Sequence, residues 1–134
     1  MNFSIGELAR RTAVKVPTIR YYEQIGLLPE PPRTEGQQRR YGPDAVKRLD
    51  FIRHARTLGF EVEDIRELLA LSAEPSQPCA GADAIATRHL AAVEQRIRQL
   101  NALRGELRKM IDACDGRCVA ECQVLESLSV PAGA

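Results

Sequence analysis

Residues 3–28 read FSIGELARRTAVKVPTIRYYEQIGLL, and two helix starts within this stretch decide the fold. Ser4 precedes the apolar Ile5 and Glu7 follows three residues on, the spacing of a capping box, while Phe3 and Leu8 are placed to pack as a hydrophobic staple. A first helix therefore runs to about Thr12. Ala13-Val14-Lys15 makes a short turn, and a second helix begins near Val16 with Pro17 in its first turn, where a missing N–H costs nothing. Gly26 stops it. Two short helices joined by three residues form the skeleton of a helix-turn-helix. That motif lays its second helix in the major groove, so Val16, Thr18 and Arg20 at its start face base edges. The guanidinium of Arg20 can fork onto a guanine or a phosphate, and Tyr21 offers a phenol to the backbone. Tyr22 reads as core, with Ile19 and Leu27.

Outward from this stretch, residues 29–42, PEPPRTEGQQRRYG, are rich in proline, glycine and polar side chains. They read as a loop or a short two-stranded wing turning at Glu35-Gly36, because proline excludes a helix interior. Arg33, Arg39, Arg40 and Tyr41 suit a wing that grips phosphates; the alternative places these arginines in a solvated loop. A third helix is expected from Pro43-Asp44 to about Leu58, with Val46, Leu49, Ile52 and Phe51 as its apolar positions, ended by Gly59. A fourth runs from Val62 to Leu71, with Ile65, Leu68 and Leu69 on one side.

Residues 73–83, AEPSQPCAGAD, form a connecting loop that contains Cys79. From Ala84 to 113 a long helix follows. Its alternating third and fourth positions are Ala86, Leu90, Val93, Ile97, Leu100, Arg104, Leu107, Ile111 and Cys114, and eight of these nine are apolar or thiol. A 3–4 repeat sustained over this length is a coiled-coil seam. A helix of about 45 Å cannot bury its stripe on so small a domain, so its natural partner is a second copy of the chain.

The chain has 134 residues, 44% hydrophobic and 28% charged, a balance that suits a folded protein. It shows neither an eighteen-residue apolar run nor a basic-then-apolar leader, so a cytoplasmic protein without a membrane span is expected. The net charge of +1 hides an asymmetry: residues 1–60 hold eleven Lys/Arg against six Asp/Glu, residues 61–134 eight against twelve. A basic front suits a polyanionic partner.

The four cysteines are Cys79, Cys114, Cys118 and Cys122, all in the second half. In a reducing cytosol they are not expected to form a disulfide framework. Cys114-Asp-Gly-Arg-Cys118-Val-Ala-Glu-Cys122 follows the long helix, and Asp115-Gly116 is a stop signal. The thiols thus fall on a loop that folds back before a short final helix over about 119–128. Three thiols within nine residues can serve as soft ligands for zinc, cadmium, mercury, lead or copper(I). The plain alternative is three small buried side chains on one helix face, which the interruption at Asp115-Gly116 disfavours.

Ile5-Gly6-Glu7-Leu8-Ala9, Thr18-Ile19-Arg20-Tyr21-Tyr22-Glu23, Gly26-Leu27-Leu28 and Arg39-Arg40-Tyr41 resemble the DNA-binding domain of the MerR family over about 70 residues. The resemblance implies a mainly α chain: a winged helix-turn-helix domain with helical support over 1–72, a dimerisation helix forming an antiparallel coiled coil, and an effector-binding loop, helix and tail over 114–134. It further implies a homodimer on promoter DNA that distorts a long spacer so that RNA polymerase engages both promoter elements, activating metal-resistance or efflux genes. Two positions depart from the pattern: Lys15 stands where a capping Ser or Thr is usual, and Gln38 where an aromatic is common. DNA contact is carried over to Arg20, Tyr21, Arg33, Arg39 and Tyr41.

The resemblance also points to the metal-sensing branch. There, Cys114 and Cys122 match the ligands of the effector loop, and Cys79 matches the third ligand that sensors of divalent ions take from the other subunit. A soft divalent ion (cadmium, lead, zinc or mercury) is therefore expected, since a third thiolate better balances a +2 charge. Cys118 is open as a fourth ligand, a ligand to a second ion, or a spectator. His89 is read as solvated or interfacial and His54 as structural. A thiol-redox regulator using the same cysteines is the alternative. An enzyme is not expected, because nothing places a histidine base beside a thiol.

Overall fold

A computed structural model describes residues 2–31, 40–114, 116 and 119–129. Six α-helices follow in order: α1 Ile5–Thr12, α2 Val16–Gln24, α3 Pro43–Thr57, α4 Val62–Ser72, α5 Ala80–Ala113 and α6 Gln123–Leu128, with a 3-10 turn Val119–Glu121 before the last. Two compact units divide the chain, Met1–Ile85 and Ala86–Ala134.

In the first unit, Ser4 caps α1 as its spacing predicts. Its Oγ accepts from the Glu7 amide at 3.2 Å, and its hydroxyl donates to Glu7 Oε1 at 3.1 Å. The turn after α1 puts Ala13 in the left-handed region at φ 57°. Helix α2 has Lys15 at its N-cap position with no side-chain cap, and Pro17 in its first turn. It closes over Gly26 at φ +76°, with the Leu27 and Leu28 amides both donating to the Tyr22 carbonyl, at 2.9 and 3.2 Å.

Helix α1 packs on α2 and α3, and α3 on α4. Between them Leu8, Ile19, Leu27, Leu28, Leu49, Ile52 and Ile65 are fully enclosed, with Tyr22 beside them. Each such aliphatic side chain contributes about 1.5–3 kcal/mol on burial, and together they hold α2 against its neighbours. Phe51, expected among the apolar positions of α3, is instead exposed. An isolated antiparallel bridge joins Phe3 to Tyr41 (N–O 2.7 and 2.8 Å), returning the chain to the start of α1. The wing expected over 29–42 falls mostly on residues 32–39, which lie outside the described residues.

Helix α5 begins at Ala80, four residues before the sequence expectation. Gly81 lies close to α4 in this added turn. A Cβ there would lie 3.3 Å from Leu71 Cδ1, so this low-propensity residue allows the first turn to approach α4. The Asp83 amide donates to the Cys79 carbonyl at 2.9 Å, and Ile85 is buried. The former loop 73–83 therefore ends in helix.

In the second unit α5 runs on to Ala113. Its stripe of Leu90, Val93, Ile97, Leu100, Leu103, Leu107 and Ile111 is exposed throughout. Among the described residues no helix is long and apolar enough to cross a membrane.

Candidate functional site

Two groups of residues carry chemistry: the face of α2 and the thiols after α5. On α2, Arg20 and Tyr21 project from the surface, Tyr21 half exposed, while Val16 and Thr18 are partly covered. Ile19 and Tyr22 turn inward, so one helix divides into a core face and an outward face at helical spacing. Arg40 is exposed. Arg33 and Arg39 lie outside the described residues.

Tyr41 departs from its expected role as a DNA contact. It is 1% exposed, and its hydroxyl donates to Glu23 Oε2 at 2.9 Å. The bridge to Phe3 draws residue 41 inward, and the phenol finds the buried carboxylate of α2 instead of a phosphate. Sequence reading missed Glu23 because its partner lies eighteen residues away. The sole local signal was a charged residue next to a core tyrosine.

Cys114 directly follows α5, with its amide bonded to the Ile111 carbonyl at 3.1 Å. Gly116 sits at φ +76°, the left-handed turn that the Asp-Gly pair predicts. Cys122 then stands between the 3-10 turn and α6, and both thiols are half-buried and free. The thiol of Cys122 is held below its ordinary range. The Leu125 amide is the largest cause, the Val124 amide and the Cys114 side chain add to it, and desolvation opposes them. The sulfur makes no cap hydrogen bond to α6, yet N–H dipoles aimed at it favour the thiolate. The fold thus brings Cys114 and Cys122 together across an eight-residue span.

Among the described residues no group of three or more His, Cys, Asp or Glu side chains converges. Cys118 lies outside the described residues. Cys79 is exposed in the first unit. The donor set of Cys114 and Cys122, two soft sulfurs of which Cys122 is biased toward thiolate, fits a soft metal ion.

Comparison with known proteins decides the family. A family model described as MerR HTH family regulatory protein matches residues 3–72, and one described as MerR, DNA binding matches residues 46–110. The chain belongs to the MerR family. It is 41% identical to the HTH-type transcriptional regulator ZntR of Escherichia coli K12 over 129 residues, covering 94% of this chain and 92% of that protein. Among solved structures it is similar to the transcription regulator PbrR691 of Ralstonia metallidurans CH34 in complex with lead(II), with a TM-score of 0.82, 39% identity and coverage of 95% and 99%. It is also similar to the dual-function regulator MerR of Bacillus megaterium MB1 in complex with mercury(II), with a TM-score of 0.71, 28% identity and coverage of 94% and 98%. This MerR-family chain is therefore a metal-responsive, DNA-binding transcription regulator and not an enzyme, and its relatives favour a metal response over a thiol-redox one.

Proposed function

We propose that this regulator binds promoter DNA as a homodimer and activates transcription of metal-resistance or efflux genes when it takes up a soft divalent ion of the cadmium, lead, zinc or mercury class. The observation that carries the reading is the paired Cys114 and Cys122, with Cys122 biased toward thiolate by the amides of α6. The lead(II) and mercury(II) complexes of similar proteins support the charge and softness of the ion. Cys114 and Cys122 hold it, and the partner subunit's Cys79 supplies a third thiolate. Three thiolates balance a +2 charge in a partly buried site better than two. Such an ion supplies a cross-link between the segments that carry these thiols. Cys118 stands in the same segment as a further candidate donor.

The DNA side of the proposal uses Val16, Thr18, Arg20 and Tyr21 of α2, with Arg33, Arg39 and Arg40 toward phosphates. Tyr41 supports them from inside. Ligand-free and loaded dimers both stay on the operator, and loading changes the shape of the spacer so that RNA polymerase engages both promoter elements.

The test combines operator affinity with spacer distortion, by gel shift and permanganate footprinting with and without lead(II). The expected result is affinity changed by less than about tenfold, within ordinary coupling energies, together with new reactivity at the spacer centre. Release of the protein from its operator by metal would contradict the mechanism.

A further inference from the structure

The recognition helix α2 is gripped at its C-terminal end by two arginines from other helices. A helix end leaves carbonyls without intrahelical partners. Those of Tyr21, Tyr22 and Glu23 are taken up by backbone amides of the following turn. Two further carbonyls of this end go to side chains: Arg66 of α4 donates Nη2 to the Ile25 carbonyl at 2.8 Å, and Arg48 of α3 donates Nε to the Leu27 carbonyl at 2.8 Å. Between these carbonyls lies Gly26, where a Cβ would come within 3.6 Å of Arg66 Nη1. Glu63 steadies Arg66 from its own helix, Nε to Oε2 at 3.6 Å. Both guanidiniums are planar and permanently charged, and they sit at the negative end of the α2 dipole. The opposite end of α2, at Lys15, has no side-chain cap. The helix is therefore fixed where it leaves the groove-facing surface and uncapped where it enters it.

We propose that Arg48 and Arg66 are positioning residues that make α2 follow α3 and α4, so that the metal response reaches DNA through these two hydrogen bonds. This inference rests on the metal-driven DNA distortion proposed above. Removing either grip leaves the outward face of α2 intact and lets its tilt drift from that of α3 and α4. Binding and distortion then separate.

The experiment uses the full chain with Arg48→Ala, Arg66→Ala and Arg66→Lys, on an operator duplex carrying 2-aminopurine at the spacer centre. Thiolate-to-lead(II) absorption reports metal binding in parallel. The alanine variants are expected to bind lead(II) as the parent does and to keep ligand-free operator affinity within about threefold. Their lead(II)-dependent fluorescence change should fall by about fivefold or more, the scale of an ordinary coupling between sites. Arg66→Lys restores part of it, because the ammonium still donates one bond without the fork. A full fluorescence response in both alanine variants would overturn the inference. So would a parallel loss of affinity and response that lysine does not rescue, which marks ordinary stability contacts. Absence of any response in the parent chain, with lead(II) bound, would instead overturn the functional reading, and the inference with it.

Discussion

The phenol of Tyr41 and the carboxylate of Glu23 form a buried pair across the first unit, with the hydroxyl donating at 2.9 Å. Tyr41→Phe removes a donor to a buried charged acceptor, so it should destabilise the fold by about 1.5–3 kcal/mol; Glu23→Gln, which keeps an acceptor for the phenol, should cost less. Urea unfolding of both variants checks the order. This pair also shows what sequence could not supply. Spacing along α2 puts Arg20 and Tyr22 on opposite faces, and the structure has Arg20 exposed and Tyr22 buried. Tyr41 reads as a DNA contact from its neighbours Arg39 and Arg40, whereas its hydroxyl is held by Glu23 from eighteen residues away. Cys122 offers a second residue-scale test. Its thiol titrates below the ordinary range, chiefly through the Leu125 amide, so thiolate is present at lower pH than in free cysteine. Site-resolved alkylation should therefore rise at a lower pH at Cys122 than in a free cysteine thiol, and Cys114→Ala should shift that rise upward.

At the scale of elements, helices α1 to α3 are legible because each carries its own punctuation, Ser4 with Glu7, Pro17, and Pro43 with Gly59, and α4 is legible from the spacing of Ile65, Leu68 and Leu69. The first turn of α5 is not legible, because Ala80-Gly81 reads as loop, and only the approach of Leu71 shows why glycine serves there. The same reasoning explains Arg48 and Arg66. Gly26 announces a helix end whose carbonyls need donors, but the donors come from α3 and α4 at a distance that no spacing encodes. The uncapped start of α2 gives a direct prediction. Lys15 has the extended backbone of a cap residue, φ −68° and ψ 146°, without a cap acceptor. Lys15→Ser should therefore stabilise the chain by about 0.5–1 kcal/mol, read as a higher thermal midpoint. An unchanged or lower midpoint would mean that the serine does not reach the free amides.

At the scale of the whole molecule, the stripe from Leu90 to Ile111 is an exposed apolar face among the described residues. A stripe of this kind is expected to be covered by a second chain. Replacing Ile97 and Leu100 together by Glu should yield a monomer in sedimentation. Operator affinity should fall by about a hundredfold or more, because the second recognition helix no longer binds at high effective concentration. A double variant that stays dimeric would contradict the seam. The stripe and the thiol-bearing segment after it are both legible in the pattern. Chain spacing could not show how the thiols meet, because the pairing of Cys114 with Cys122 depends on the turn at Gly116 and on where α6 begins.

The proposed metal site joins Cys79 of one chain to Cys114 and Cys122 of the other around a soft divalent ion. Anaerobic titration of the reduced protein with cadmium, lead, zinc and mercury, followed by thiolate-to-metal absorption, tests it most directly. The account predicts tight binding of one ion per chain, weakened in Cys79→Ser and lost in Cys114→Ser and Cys122→Ser. Absence of tight binding of any of these ions, or binding indifferent to all three substitutions, would contradict it.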